Sequence, residues 1–452
     1  MLSLNFFTPA DTLSLFKQKT LSWADNFPIA VVLDSNNFAN DPHARYELLV
    51  GLSRGKTSQK LLSAYLQAGE NDTFAALHRL SLQEAGQWIF GFLTYDLKNE
   101  LEYLHSANPD KVGFPSAFFF VPDIVIAVEK NGQSQIMAAA DPDNPNFSLS
   151  DIEAIKHQIE QHSLLEVGQL PAGNCHFQSR MSRQHYLNCV EALQQHLAKG
   201  DIYEVNFCQE FYAENVSLTA YAPLFHQLCR TTQAPFSSYI KLYGQHYLFC
   251  ASPERFMQKQ GHTLRSQPIK GTIRRGQTPQ EDEQLRRELQ QNPKEQAENV
   301  MIVDLVRNDL ARCAERKSVV VEELFGPYTF RTVHHLISTV KATLKAGLHW
   351  SDALKVAFPM GSMTGAPKVR AMQLIEQYEC SKRGLFSGSV GYVTPSGDFD
   401  FNVIIRSLLY NAQTKYLSLQ TGSAITIYAN AEQEYEECLL KAAALKNLLN
   451  DK

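Results

Sequence analysis

The sequence predicts an α+β protein built on antiparallel sheets. Three observations carry that expectation. Strand-like segments follow one another directly instead of alternating with helices. A connection such as Asp141–Asn146 (DPDNPN) is dense in turn residues. Phenylalanine and tyrosine are abundant, at 26 and 18 of 452 residues, which suits pleated, half-buried surfaces.

In chain order, Pro28–Ser35, Tyr46–Gly51, Trp88–Tyr95 and Ala117–Val128 are apolar and β-rich, and each reads as a strand. Asp151–Gln161 reads as a polar helix, and the change of character near Gly168–Asn174 as a junction. Ser182 caps a second helix in which Tyr186, Val190, Leu193 and Leu197 recur at helical spacing. A turn at Gly200-Asp201 leads into a strand at Ile202–Tyr212, where Tyr203, Val205 and Phe207 alternate. Ser238–Tyr243, Tyr247–Ala251 and Phe401–Tyr410 read as further strands. Ala297–Val306, Val369–Tyr378 and Glu432–Leu448 read as helices. No internal repeat, heptad run or low-complexity tract interrupts them.

The bulk numbers exclude several classes. A hydrophobic share of 44% and a charged share of 20% are those of a globular protein. A net charge of -5 argues against a generally nucleic-acid-binding surface. The eight cysteines form no CxxC pair and no zinc-type spacing, so the expectation is a reduced, cytoplasmic protein. No signal peptide is apparent, and the most apolar run, Ala117–Val128, is too short to span a bilayer.

The stretch Arg265–Arg275 (RSQPIKGTIRR) is the most informative one. Lys270 lies between Pro268-Ile269 and Gly271. Deprotonating an ordinary lysine at pH 7 costs about 4.6 kcal/mol. Burial and nearby cations lower that cost, and Arg265, Arg274 and Arg275 are the cations at hand. Gly271 permits a tight turn or a close approach. The plain alternative is a solvated surface lysine.

Two helices carry paired carboxylates. Glu295 and Glu298 are three apart, as are Glu434 and Glu437, so each pair shares a helix face. If the faces meet, the carboxylates form a hard-oxygen site suited to Mg²⁺. The alternative is a solvated acidic face in a first helical turn.

Seven stretches in order resemble the chorismate-utilising enzymes. They are GDIYEVN (200–206), SPERF (252–256), PIKGT (268–272), AENVMIVDLVRND (297–309), VHHLIST (333–339), GSMTGAPKVRAM (361–372) and EYEECLLKA (434–442). The family includes anthranilate, aminodeoxychorismate, isochorismate and salicylate synthases. The resemblance implies an αββα sandwich of two antiparallel sheets with outer helices. It places a chorismate-binding catalytic domain over 166–452, and a β-rich part of the same body over 1–165. Lysine in PIKGT, where anthranilate synthases carry alanine, points to the branch that aminates chorismate at C4 in p-aminobenzoate and folate synthesis.

The resemblance also implies roles. Glu298 and Glu437 would ligate Mg²⁺, with Glu295 and Glu434 holding its waters. Glu254 would be the general acid that protonates the departing C4 hydroxyl. Lys270 would add to C2, and ammonia would then attack C4 and expel it. Arg406, Lys441 and His335 are candidate cations for the two substrate carboxylates, Thr364 and Gly365 form a substrate-side loop, and Gly422 offers backbone amides. His335 reads equally as a satisfied core histidine.

Four positions depart from the family pattern. Glu204 stands where isochorismate synthases have a water-activating lysine and many amine-forming relatives have glutamine. Its carboxylate is available to hold Lys270 or an ammonium, and the sequence leaves both open. Ser423-Ala424 replace glycines and would narrow access near Gly422, and Phe386 replaces a larger polar aromatic. Val31–Ser35 aligns with a tryptophan-site segment of relatives, with an ordinary core strand as the alternative. No cysteine lies in a nucleophile-elbow context, so ammonia is expected from solution or from a separate glutamine amidotransferase subunit. Release of pyruvate is left to another enzyme. The rivals are an anthranilate synthase component and a non-catalytic chorismate- or tryptophan-binding regulatory subunit.

Overall fold

The structure is a computed structural model that describes residues 1–57, 60–66, 72–140, 143–144, 146–164 and 175–449. Two antiparallel sheets face each other, one of twelve strands and one of nine. The strand Ile29–Asp34 shows why they pack. Its Ile29 and Val31 join the core between the sheets, while Ala30 and Val32 join the core under the outer helices. Successive side chains leave a strand on opposite faces, so covering both faces requires a continuous apolar run. The helices Ala10–Ala24, Leu149–Gln161 and Tyr221–Thr232 cover that sheet with Leu13, Phe16, Ile152 and Leu224. The nine-stranded sheet is covered from its own side by Pro293–Ala311 and Trp350–Ala357, whose Ile302, Val303 and Leu354 join one hydrophobic cluster with Leu264, Val340 and Ala342. The expected sandwich is the observed one.

Strands from the first 165 residues lie in both sheets. Ile29–Asp34 pairs with Phe236–Leu242, and Ile89–Leu93 with Ser389–Val393. The junction expected near Gly168–Asn174, and Asp141, Pro142 and Pro145 of the DPDNPN turn, lie outside the described residues.

Two apolar runs that read as single strands are each two strands in different sheets. Ala117–Val128 divides into Ala117–Phe120 and Ile124–Glu129, and Pro122-Asp123 carries the chain across. Phe401–Tyr410 divides into Phe399–Asn402 and Ser407–Asn411. Hydrophobicity stays high through both crossings because both flanks are core. The strand after Gly200 begins at Glu204, and Tyr203 ahead of it is exposed. Glu204, Asn206 and Phe207 are all buried there, so both faces of this strand are covered, the polar side included.

Candidate active site

The site forms where the chain passes between the sheets. His246–Ser252 lies in the larger sheet and Arg255–Gln260 in the smaller, joined by Pro253-Glu254. Residues 403–406 make the reverse passage alongside. The Val403 amide donates to Glu254 O at 3.0 Å and the Ala251 amide to Arg406 O at 3.1 Å. SPERF is legible residue by residue. Ser252 Oγ accepts from the Glu254 amide at 3.2 Å. Arg255 clamps Asp41 and Asp400 with bonds of 2.8 and 2.9 Å, which fixes the strand that begins beyond Glu254. Phe256 packs edge-on against Phe358. Burial drives the Glu254 carboxyl up to about 7, against the lowering influence of Ser362 and Lys270.

Lys270 lies on the edge strand Ile269–Arg274, and the register against Val333–Thr343 shifts between Ile269 and Thr272. The bulge re-aims the side chain, as bulges beside sites do. Gly271 has φ +94°, and a Cβ there would lie 3.0 Å from Glu295 Oε2. Both reasons expected for this glycine therefore hold. Asn299 Nδ2 donates to Lys270 O at 3.4 Å, and Ser338 Oγ orients Asn299 with a bond of 2.6 Å.

The electrostatic surroundings of Lys270 reverse the sequence expectation. Arg265, Arg274 and Arg275 turn to Glu322, Glu281 and Asp282 instead. Lys270 Nζ donates to Glu204 Oε1 at 2.5 Å, and both side chains are buried. Burial favours the neutral amine, but the charge and hydrogen bond of Glu204, with Glu298 and Glu254 behind it, hold the lysine above its ordinary value. The nucleophile candidate rests as an ammonium.

The two acidic faces do approach. Burial raises Glu295, and the charge of Glu437 adds to that rise. Burial lifts Glu298 to about 7, with Glu204 and Glu295 adding to it. Burial likewise raises Glu434, beside Glu437. Carboxylates pushed upward by burial and by one another fit a hard divalent cation among them. Among the described residues no three His, Cys, Asp or Glu side chains are already drawn together as a metal-holding group. Lys441 Nζ meanwhile bonds Glu437 Oε1 at 2.5 Å and Gly422 O at 2.9 Å.

Arg406 is half-buried, and its backbone sits at φ +52°. Among the described residues no carboxylate pairs with its guanidinium, and only Glu437 offsets the burial that lowers its affinity for the proton. His335 is not a cation here. Burial and then the charge of Arg406 push it down to about 3, and its Nδ1 lies 2.8 Å from Thr272 Oγ1. It is a neutral imidazole held by Thr272 and set close to the site.

Gly365-Ala366 pairs with Val205 and Glu204, and Thr364 O accepts from the Asn206 amide at 2.8 Å. Gly422 pairs with Cys208 so closely that a Cβ would lie 2.3 Å from the thiol sulfur. Ser423 turns its hydroxyl to Tyr186 at 3.4 Å, and Phe386 is buried in the inter-sheet core. Leu33 and Asp34 belong to a core strand, and Lys17 holds Asp34 at 2.7 Å. A cavity of about 60 Å³ lies against Leu33, Asp34 and Ser35, with Phe236, Arg255 and Tyr392 among its walls.

Sequence reasoning missed one pair. Arg383 and Glu379 form a buried ion pair at 2.6 Å. Arg383 also donates to Asn206 O at 2.8 Å and to Met363 O at 2.5 Å, and Glu379 accepts from the Cys208 amide at 2.9 Å. The pair ties the strand of Glu204 to the loop of Thr364. Its four-residue spacing is the one signal the sequence offers.

Fold and motifs together point to one class of protein, the chorismate-binding enzymes. The family model for chorismate binding enzymes matches residues 47–447, and the chain belongs to that family. It is 34% identical over 427 residues to aminodeoxychorismate synthase component 1 of Klebsiella aerogenes, covering 91% of each chain. It is 33% identical over 359 residues to anthranilate synthase component 1 of Thermus thermophilus, covering 79% of this chain and 76% of that one. The solved menaquinone-specific isochorismate synthase MenF of Escherichia coli superposes with a TM-score of 0.75 at 19% identity, over 99% of this chain and 94% of that one. That likeness shows the fold. No helix among the described residues is long and apolar enough to cross a membrane.

Proposed function

We propose that this chain aminates chorismate at C4 to give 4-amino-4-deoxychorismate, with Lys270 as a covalent nucleophile. One observation carries the reading. A buried lysine is paired with Glu204 in the electrostatic reach of Glu254, a carboxyl poised near 7. Glu254 supplies the proton that lets the C4 hydroxyl leave as water. Lys270, once it has passed a proton to the Glu254 carboxylate left by that step, adds to C2. Two easier steps then replace one hard substitution. The guanidinium of Arg406, which pairs with no carboxylate among the described residues, takes a substrate carboxylate in bidentate fashion. Glu298, Glu437, Glu295 and Glu434 are the residues that would hold Mg²⁺, and the ion would supply charge stabilisation at the ring carboxylate. Ammonia comes from solution or from a separate glutamine amidotransferase subunit.

The test is intact-mass analysis after rapid quenching. With chorismate and Mg²⁺ but no ammonia, the enzyme should gain the mass of chorismate less one water, on the peptide that contains Lys270. Lys270→Ala should lose that adduct. An unmodified wild-type enzyme, with a mutant that still aminates C4 at raised KM, would reduce Lys270 to a cationic contact. The likeness to a Thermus anthranilate synthase component keeps C2 amination as the rival, and the position of nitrogen in the product separates the two.

A further inference from the structure

Glu204 has one oxygen occupied and one idle. Oε1 holds Lys270, while Oε2 is buried and has no hydrogen-bond partner among the described residues. The residue is only 1% exposed. Leaving such an acceptor unmatched costs about 1–3 kcal/mol. The backbone that carries it is fixed on both sides. Its strand is pinned on one side by Gly365-Ala366 and on the other by Ser423–Ile425. The Tyr203 amide just before it is tied to Ala366 O at 2.7 Å. A buried carboxylate oxygen held in place and unpartnered is a vacancy for a donor.

The chemistry of that donor is narrow. The surroundings are already acidic, with Glu254 and Glu298 in electrostatic reach of the same lysine. An anion is therefore excluded. Water satisfies the lone pair but leaves the surplus negative charge of Glu204, Glu254 and Glu298 over the single Lys270 unanswered. Ammonium is as small as water, has four N–H donors and no acceptor, and its charge offsets the carboxylate's. We propose that Glu204 Oε2 docks ammonium and accepts one of its protons, so that Glu204 presents the nitrogen donor for the second half of the reaction.

This rests on the Lys270 reading above. The first half leaves Lys270 joined to C2 as a secondary ammonium. The ring hydroxyl has departed as water with the Glu254 proton, and Glu254 has regained one from the lysine. Ammonium on Glu204 then passes a proton to the carboxylate. The lone pair of the resulting ammonia forms the bond to C4, giving a C4 ammonium. The C2–N bond breaks, and its electron pair returns to Lys270 as a neutral amine. That amine takes the proton back from Glu204 and restores the ion pair of the resting structure.

Initial rates at saturating chorismate and Mg²⁺, with ammonium chloride varied, test the proposal. Glu204→Gln should raise the KM for ammonium about tenfold or more. The chorismate KM should rise far less than the ammonium KM, and the adduct should still form without ammonium, more slowly because Lys270 has lost its ion-pair partner. Glu204→Asp, which keeps the charge, should recover part of the ammonium affinity. If the Gln variant forms the adduct and keeps the wild-type ammonium KM, docking is overturned and the nucleophile reading stands. If both KM values rise alike, Glu204 only holds Lys270 and the pocket in shape, and docking is again overturned. If the wild type forms no adduct, the nucleophile reading fails and the exchange of partners on Glu204 fails with it.

Discussion

The chain crosses from one sheet to the other at Pro122-Asp123 and again at 403–406, and the two crossings are built to opposite specifications. At the first, every oxygen of the crossing carboxylate is used. Asp123 Oδ2 accepts from Ser53 Oγ at 2.9 Å and from the Arg54 amide at 2.8 Å, and Oδ1 from Lys60 Nζ at 3.0 Å. At the second, Arg406 holds a left-handed backbone and, among the described residues, forms no ion pair with a carboxylate, next to a passage that bears an unusually basic Glu254. Saturated polar groups hold a fold together. Unsaturated ones with backbone strain are kept where a ligand completes them. The same topological device is a joint in one place and a binding surface in the other.

The sharpest way to break the contrast is Glu254→Gln. Loss of a positioned general acid should lower kcat by about 10²–10⁴ with little change in chorismate KM. The wild-type rate should also fall as pH rises through about 7, because the acid must be protonated to act and ionises there. The Gln variant should lose that limb. A variant with normal kcat and weak binding would assign Glu254 to substrate contact.

Arg406→Gln comes next. If its guanidinium waits for a substrate carboxylate, chorismate KM should rise about 10- to 100-fold, the worth of charge-assisted hydrogen bonds. Thermal stability should not fall, since a half-buried cation without a partner costs the fold energy. A lower melting temperature at unchanged KM would make Arg406 structural, like Asp123.

How far the sequence could anticipate this depends on the range of the interaction. Helices with a cap and a period, such as Arg183–Lys199 behind Ser182, are local and were readable. The motifs supplied the identities of Glu254 and Lys270. What stayed hidden are contacts across sequence distance. Lys270 has arginines as chain neighbours, and Glu204 on the facing sheet, its actual partner, was legible only as one of two alternatives for that carboxylate. The protonation of His335 depends on burial and on Arg406, which no local pattern carries. The sheet crossings were invisible for a different reason. A strand that ends in one core and resumes in another keeps its hydrophobicity, and only Pro122 in the first run interrupts the pattern.

The smallest expected effect is at the saturated crossing. Asp123→Asn keeps an acceptor for the Arg54 amide but removes the charge that Lys60 pairs with. The variant should lose about 1–3 kcal/mol of stability, a drop of about 2–5 °C in melting temperature, with kcat and KM unchanged for the folded enzyme. Burial alone would raise the Asp123 carboxyl, but the Arg54 amide, Lys60 and Ser53 together hold it below its ordinary value. A depressed carboxyl contributes stability above its unfolded value and loses it as pH falls through the folded one. The gap between wild type and Asn variant should therefore be widest near neutral pH, and should close as the pH falls below the ordinary carboxylate range. Melting curves across pH check this directly. A gap that persists in acid would mean that shape, not charge, holds this crossing, and a change in KM would mean that the two crossings are coupled.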